Sequence, residues 1–229
     1  MSQINLQDSF KEFCEKKNFE INTQQKEIIH LLSKFLDKKE TFLSRFFGNK
    51  KKLCFYLYGK VGVGKTMLLD FFYNQLKINK HRQHFNEFMI NFHDFRYEKK
   101  DNNTIRDFVK KLKKKYELIY LDEFQVTNIV DAMILGKLFK EIFKENLKII
   151  ITTNTKLNNL YKEGLQRKQF LPFVSIIKKF SIQKELIIKD DYRVKNNQAI
   201  QEIFYPLNEK TSFRINQRFH ELTKNKNKE

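Results

Sequence analysis

The residues at positions 59–66 are Gly59, Lys60, Val61, Gly62, Val63, Gly64, Lys65 and Thr66. They match the pattern G-x-x-x-x-G-K-[ST], whose glycines let backbone N–H groups converge on phosphate oxygens. The pattern stands between an apolar run at 53–58, typical of a buried parallel strand, and a segment at 65–76 with helical spacing. We therefore expect this loop to bind a nucleotide, with Lys65 at the β- and γ-phosphates and the Thr66 hydroxyl on Mg²⁺.

A pair of carboxylates follows a second apolar run. Residues 118–121 are Leu-Ile-Tyr-Leu, and Asp122 and Glu123 come directly after them. In a fold built around a phosphate-binding loop, Asp122 would hold Mg²⁺ directly or through water. Glu123 would then orient and deprotonate the attacking water. An acidic pair at a strand end is also common on protein surfaces, so this interpretation depends on the loop at 59–66.

A third polar position and two arginines complete the candidate site. Asn154 ends the apolar run 148–153 and is a candidate to hold the attacking water or the γ-phosphate. The alternative is that Asn154 caps the next helix, a position that Asn favours. Arg167 and Arg193 are candidates to meet the transition-state charge, sometimes supplied from a neighbouring subunit. Surface ion pairs are the alternative for both arginines.

Apolar runs that alternate with helical segments predict an α/β protein with a mostly parallel sheet covered by helices. The spacing predicts helices at 24–36, 65–76, 104–113, 128–143, 161–177 and within 194–224. Strands are expected at 53–58, 84–90, 117–121, 147–153 and 180–188. We divide the chain into an N-terminal helical extension at 1–50, a P-loop core at 51–193 and an abbreviated helical lid or tail at 194–229.

Length and composition exclude several protein classes. The 229 residues suffice for one domain with an appendage, or for two small domains. Because 41% of the residues are hydrophobic, the chain has enough apolar material for a packed core, which excludes wholesale disorder. The 2 cysteines exclude a disulfide scaffold. No apolar run reaches the length of a membrane span, and the N-terminus lacks a signal or transit pattern, so we expect a cytoplasmic protein.

The net charge of +18 has two interpretations. One is a nucleic-acid or anionic-membrane partner. The other is compositional bias together with solubility, because Lys, Asn, Ile, Phe and Tyr are all abundant, as an AT-rich genome produces. Arg, which makes bidentate contacts with bases and phosphates, is scarce beside Lys. The basic run at 110–115 lies on a predicted helix, where a solvated face is the commonest explanation.

Together, the motifs resemble those of the ZapE-type ATPases of bacteria, which have mitochondrial relatives and belong to the AAA+-type P-loop group. The matching stretches are YLYGKVGVGKTMLL at 56–69, RQHFNEFM at 82–89, LDEFQVTNIVDAMILGKLF at 121–139, LYKEGLQRKQFLPF at 160–173 and DYR at 191–193. DEFQVT with DAMIL is far more specific than the phosphate loop.

The resemblance implies an Mg²⁺-dependent ATPase with an AAA+-type core that assembles into ring-like oligomers. The implied site residues are Lys65, Thr66, Asp122, Glu123, Asn154, Arg167 and Arg193. Among them, Asn154 matches the family's sensor position, Arg167 is expected to act in trans, and Arg193 is a second-sensor candidate. The implied partners are ATP, further copies of the chain and a protein substrate. Bacterial members are linked to cell division through the tubulin-like ring protein, and mitochondrial members to inner-membrane protein quality control.

The chain departs from the family's pattern at Asn86, Asn128 and Gln169, and it ends at Glu229, where family members usually continue. We therefore expect an abbreviated lid. Two alternatives follow from these observations. The charge favours a DNA-binding, helicase-loader-like ATPase, and the C-terminus favours a nucleotide-binding remnant with little turnover. A GTPase is disfavoured because the sequence has no N-K-x-D motif.

Overall fold

A five-stranded parallel sheet forms the centre of the computed structural model, which describes residues 6–36, 51–99, 101 and 103–187. The strands are β1 (Cys54–Tyr58), β2 (Lys80–His84), β3 (Leu118–Asp122), β4 (Lys148–Thr153) and β5 (Ser181–Glu185). Their order across the sheet is β2-β3-β4-β1-β5, and each neighbouring pair is parallel. The predicted parallel α/β sheet is confirmed.

Helices cover both faces of the sheet, as predicted. On one face lie α1 (Leu6–Lys16), α2 (Thr23–Leu36) and α3 (Lys65–Gln75). On the other face lie α4 (Phe85–Lys99), α5 (Thr104–Lys115), α6 (Ile129–Lys144) and α7 (Arg167–Phe180). Alternate side chains of β1 serve the two cores, since Phe55 and Leu57 pack with the first group and Tyr56 with the second. Burial on both faces explains why this strand has a continuously apolar sequence.

One strand lies elsewhere than the sequence predicted. We expected a strand at 84–90, but β2 ends at His84 and α4 begins at Phe85. β2 reads Lys-His-Arg-Gln-His and pairs with β3 at one edge of the described sheet. An edge strand is covered less completely than a central one, so its polar sequence gave no apolar signal. The apolar residues after it, including Phe88 and Phe92, form the buried face of α4 at helical spacing.

The helix expected at 161–177 begins at Arg167 instead. The preceding residues form a tight turn in which Tyr161 and Gln166 have φ angles of 52° and 54°. The ring of Tyr161 covers Gly164 so closely that a Cβ there would collide with it. The Tyr161 hydroxyl also donates a hydrogen bond to the carbonyl oxygen of Leu165 (3.0 Å). This turn fixes the position of Arg167 at the start of α7.

Predictions for the C-terminal residues lie outside the described part of the chain. They include Arg193, the lid at 194–229 and the helices expected within 194–224. The division of the chain at residues 50 and 193 stays a prediction. Among the described residues, no helix combines the length and the apolar character needed to cross a bilayer.

Candidate nucleotide-binding site

Three polar segments meet at the carboxyl edge of the sheet because the strands are parallel. β4 lies between β1 and β3 and pairs with both. The loop at 59–66 follows β1, Asp122 ends β3 and Asn154 follows β4. Ligands of parallel α/β sheets bind at this edge. These three predicted positions therefore lie at one edge of the sheet.

Two glycines shape the turn from β1 into α3. Gly64 precedes α3 with φ 83° and ψ 18°, a left-handed conformation that strains residues with a Cβ. Gly59 lies so close to the end of β5 that a Cβ would collide with the carbonyl oxygen of Leu186. The N-terminus of α3 consequently stands at the carboxyl edge, where its dipole and N–H groups favour phosphate.

The other loop residues differ in exposure. Val63 is buried and Gly62 is half-buried, whereas Lys60, Val61 and Thr66 are exposed. Thr66 is the second residue of α3, the position from which a loop Ser or Thr hydroxyl reaches Mg²⁺ in P-loop proteins.

The Lys65 ammonium joins the phosphate loop to β4. Lys65 is only 8% exposed, and its Nζ donates to the carbonyl oxygens of Gly59 (2.8 Å) and Lys60 (2.7 Å). It also donates to Oδ1 of Asn154 (2.9 Å). Hydrogen bonds from a charged donor are stronger than neutral ones. The structure thus brings together two residues that are 89 positions apart in the sequence.

Asn154 does not cap the helix that follows it. The next helical element is a single 3₁₀ turn at Leu157–Asn159, and its N-cap is Lys156. The capping alternative for Asn154 is therefore wrong, and its side chain is directed to Lys65 instead.

The Asp122 carboxylate is held by three donors and is only 5% exposed. It accepts hydrogen bonds from the Thr152 hydroxyl, from Nη2 of Arg82 (2.6 Å) and from the backbone N–H of Glu123 (3.0 Å). Burial disfavours the ionised carboxylate, but the bonds from Thr152 and Arg82 outweigh it and hold the pKa of Asp122 below its usual value. Asp122 is therefore ionised at neutral pH.

The donor set fits a magnesium ion bound through water. Oδ1 of Asp122 accepts from Thr152 and Glu123, and Oδ2 accepts from Arg82. A carboxylate has about four acceptor sites, so Oδ2 retains one. Mg²⁺ keeps several of its waters in proteins and takes few protein oxygens. Asp122 could therefore accept from a Mg²⁺-bound water, and the hydroxyl of the exposed residue Thr66 would be the direct protein ligand.

Arg82 belongs to the site, although the sequence predicts no role for it. Its Nη2 contacts Asp122, its Nη1 donates to Oδ1 of Asp70 (2.5 Å), and its guanidinium carbon lies 5.0 Å from the ring centre of Tyr120. Asp70 lies on α3, so Arg82 ties the edge strand to the phosphate-loop helix. The usable signal was the strand position, because a strand ending at His84 puts Arg82 in register with Tyr120.

Glu123 lies at the exposed side of the acidic pair. Its side chain is 80% exposed, and its φ of 52° is a strained conformation that costs a residue with a Cβ about 1–2 kcal/mol. The bond from its N–H to Asp122 holds this conformation. Nδ1 of His84 lies 3.9 Å from Oε2 of Glu123. Exposure gives the Glu123 carboxylate the access to water that a general base needs.

Two side-chain contacts fix the start of α6. Nε2 of His93 lies 2.7 Å from Oδ1 of Asp131, which joins α4 to α6. Asn128, which stands where the family pattern has Asp, is the N-cap of α6 and accepts from the N–H of Val130 (2.7 Å). Asn and Asp cap helices about equally well, so this departure leaves the helix start intact.

Arg167 is bound to its own loop. Nη1 donates to the carbonyl oxygen of Leu160 (2.7 Å) and Nη2 to that of Asn158 (2.7 Å). Among the described residues, no hydrogen bond or ion pair joins Arg167 to the phosphate loop or to the acidic pair. The structure therefore brings together Lys65, Asp122 and Asn154 within one subunit but leaves Arg167 apart from them.

Comparison with known proteins agrees with this arrangement. A family model described as AFG1-like ATPase matches residues 5–229. Lactation elevated protein 1 homolog B of Danio rerio is 35% identical over 164 residues, which are 66% of this chain and 33% of that protein. Cell division protein ZapE of Escherichia coli K12 is 33% identical over 158 residues, which are 68% of this chain and 42% of that protein.

A solved structure supports the fold. AMPPCP-bound DnaA from Aquifex aeolicus superposes with a TM-score of 0.51 at 17% sequence identity, covering 79% of this chain and 52% of that one. The chain spans less than half the length of the curated relatives named above. Because the family model covers nearly the whole sequence, the chain belongs to the AFG1-like ATPase family.

Proposed function

We propose that this chain hydrolyses Mg-ATP at the bond between the β- and γ-phosphates. One observation carries the proposal: the Lys65 ammonium of the phosphate loop donates to Asn154, the residue that follows the strand between β1 and β3. A phosphate-binding cation, a polar residue for the attacking water and an ionised carboxylate therefore share one edge of the sheet.

The geometry supports a separate task for each side chain. Lys65 would exchange carbonyl partners for phosphate oxygens, and Asp122 would orient a water of the metal ion. When bound, Mg²⁺ would supply positive charge against the negative charge that develops on the phosphate oxygens during transfer. Asn154 would position the attacking water, and the exposed Glu123 would take its proton.

Steady-state phosphate release tests the proposal with the substitution Glu123→Gln. We expect turnover to fall about 100- to 10,000-fold, because Gln keeps the size of the side chain and removes the base. ATP binding, measured by titration calorimetry, should persist. The matched control is Glu98→Gln, an exposed glutamate of α4, which should retain full turnover.

Each other outcome has a definite meaning. Tight ATP binding without turnover in the unsubstituted chain would select the nucleotide-binding remnant. Loss of both binding and turnover in Glu123→Gln, with Glu98→Gln intact, would mean that Glu123 supports binding rather than proton transfer.

We also propose that a second copy of the chain completes the site with its Arg167. The support is the position of Arg167 at the carboxyl edge, where two backbone carbonyls fix its guanidinium. These bonds use two of the five N–H donors of an arginine, which leaves donors for a phosphate. Leu165 nearby is 75% exposed and would be covered by a neighbouring subunit.

Mixing variants tests this step. Lys65→Ala and Arg167→Ala should each lack turnover, and their mixture should regain part of it, because some interfaces combine an intact phosphate loop with an intact arginine. Lys168→Ala, at the next position, should be active by itself. A mixture that stays inactive, beside an active Lys168→Ala, would contradict an arginine supplied in trans.

The proposed substrate is a protein partner in cell division, such as the tubulin-like division protein. The support is the similarity to Cell division protein ZapE, of which this chain spans 42%. Capture of the purified division protein by the ATP-loaded Glu123→Gln variant, and stimulation of turnover by it, are the expected results. Neither capture nor stimulation would remove the division role while leaving ATP hydrolysis as it stands.

A further inference from the structure

The described lysines are concentrated at the amino edge of the sheet, opposite the nucleotide-binding site. Five segments lead into the five strands, at 51–53, 76–80, 113–117, 144–148 and 178–180. Together they contain eleven lysines, two glutamates and neither arginine nor aspartate. We call the lysines of these segments the lysine edge.

The carboxyl edge has no comparable excess of positive charge. Its segments, at 58–66, 84–88, 122–129, 153–167 and 185–187, contain five Lys or Arg side chains and five Asp or Glu side chains. Compositional bias alone would raise the lysine content of both edges. The contrast shows that the fold gathers the excess charge at one edge.

Some of these lysines stabilise helix ends. Lys80 donates to the carbonyl oxygens of Tyr73 and Leu76, the latter at 2.7 Å, and Lys113 donates to that of Asn146 (3.1 Å). Cations commonly satisfy the last carbonyls of helices in this way. A carbonyl carries no net charge, however, so these bonds leave the positive charge of the edge in place.

Four lysines of the edge have no structural bond that explains them. Lys77, Lys114, Lys115 and Lys178 are exposed, and no hydrogen bond or ion pair ties their ammonium groups to another described residue. They lie just before β2, β3 and β5, so they extend from one outer strand of the described sheet to the other. With neighbouring strands about 4.8 Å apart, the five strand ends spread the lysine edge over about 20 Å.

We propose that the lysine edge docks the protein on a membrane surface rich in anionic lipids. The edge offers positive charge over a broad width rather than a shaped pocket. Such charge is attracted to an anionic bilayer by about fivefold in affinity for each lysine near the surface. The nucleotide-binding edge of the docked protein would face away from the membrane.

Nucleic acid fits this edge less well. It has no arginine to make bidentate phosphate or base contacts, and the N-termini of α3, α4, α6 and α7, which follow the carboxyl ends of strands, stand at the opposite edge. None of the large apolar side chains exposed in the described residues belongs to these segments. The rings of Tyr116 and Phe180 pack against His81 and Phe143, so they offer bases no stacking platform.

Vesicle sedimentation with the full chain tests the proposal. We expect binding to vesicles of phosphatidylcholine with about 30% phosphatidylglycerol, weak binding to phosphatidylcholine alone, and release by salt. Replacing Lys77, Lys114, Lys115 and Lys178 with Gln should weaken binding about 100-fold or more. A control carries the same replacement at four exposed lysines elsewhere, namely Lys26, Lys137, Lys156 and Lys162. It has the same net charge and should weaken binding only slightly.

Lysine acetylation of the unsubstituted chain gives a second readout that does not depend on the folding of any variant. Anionic vesicles should protect Lys77, Lys114, Lys115 and Lys178 and leave the four control lysines reactive. Equal weakening in both quadruple variants, or equal protection at both sets, would overturn the proposal. Tighter binding to a labelled DNA duplex or single strand than to vesicles, lost in the edge variant, would overturn it in favour of nucleic acid.

Discussion

The two ends of α3 lie at opposite edges of the sheet, and a buried or half-buried lysine contacts each of them. Lys65, its first residue, donates to the carbonyls of Gly59 and Lys60 and also to Asn154. Lys80 donates to carbonyls near the end of the same helix. The segments of the first edge, the carboxyl edge, contain equal numbers of positive and negative side chains, and Lys65 and Asp122 have specific hydrogen-bond partners there. At the second edge, the lysine edge, positive charges accumulate. The function proposed for the carboxyl edge depends on where each side chain lies, whereas the function proposed for the lysine edge depends on its total positive charge.

The largest expected effect separates these two lysines. Lys65→Met should lower ATP turnover about 1,000-fold or more, because the phosphates lose their positive charge. Lys80→Met should leave turnover unchanged and lower the free energy of unfolding by about 1–2 kcal/mol through its lost bonds to the helix end. Phosphate release and urea unfolding of both variants measure the contrast. Loss of turnover in Lys80→Met would break it.

A smaller effect is expected at Arg82, which stabilises Asp122 at the carboxyl edge. Arg82→Gln should reduce turnover about 10- to 100-fold, because a residue that orients a metal-site carboxylate is removed. Arg82→Lys keeps the charge but cannot bond Asp70 and Asp122 at once. Its turnover should therefore lie between that of Arg82→Gln and that of the unsubstituted chain. Wild-type turnover in Arg82→Gln would mean that the Thr152 hydroxyl and the Glu123 N–H suffice to position the carboxylate.

Arg82 should also change the pH dependence of stability. The pKa of Asp122 is depressed in the folded chain, so its contribution is complete above the unfolded pKa and is lost as pH falls through the folded pKa. Without Arg82, burial is opposed less, and the pKa of Asp122 rises. The acid loss of stability due to Asp122 begins near the unfolded pKa in both chains, but in Arg82→Gln it should be smaller and should end at a higher pH than in the unsubstituted chain, as urea unfolding at a series of acidic pH values would measure.

A change of about 1 kcal/mol in the free energy of unfolding is expected at the N-cap of α6, at the carboxyl edge. Asn128→Ala removes the acceptor of the Val130 N–H and should lower the melting temperature by a few degrees. Asn128→Asp should be neutral or slightly stabilising, because a carboxylate favours a helix N-terminus. Asn158→Ala is the control, since only its backbone carbonyl is bonded. Equal destabilisation in Asn128→Ala and this control would contradict the cap.

The smallest effect is expected at Asp70, the other partner of Arg82. Burial raises its pKa even though Arg82 lowers it, so this ion pair is weaker than the one with Asp122. Asp70→Asn should change the free energy of unfolding by less than about 0.5 kcal/mol at neutral pH, because the side chain is 41% exposed. If Asp70→Asn lowered the free energy of unfolding as much as Arg82→Gln does, the Arg82 guanidinium would be held mainly by α3.

The sequence predicted the parts of the site that are written locally. The loop at 59–66, the carboxylates after 118–121 and Asn154 each follow a buried strand, and a buried strand is recognisable from its apolar run. Parallel pairing then requires those strand ends to share one edge. The family resemblance added the sensor assignment for Asn154, and the structure supplied its bond to Lys65.

The parts that the sequence missed depend on contacts between distant residues. Arg82 acts through Asp70 and Asp122, and neither spacing is a motif. The strand that carries Arg82, β2, is polar and has no apolar signal. The apolar residues of α4 were predicted to be the strand instead. The net charge likewise does not reveal that lysines gather at one edge. That pattern can be recognised only when the structure shows that helix ends and strand starts lie on the same side of the sheet.

Gly59 touches the carbonyl of Leu186, and the N–H of the next residue, Ile187, is held by Oε1 of Gln24 (2.9 Å). The phosphate loop, the end of β5 and the first turn of α2 therefore form one junction, made largely of backbone. A shift of the loop on phosphate binding would therefore act directly on the backbone at Leu186. Between Gly59 and Leu186 such transmission needs no relay of side chains, whereas the link to α2 depends on the side chain of Gln24.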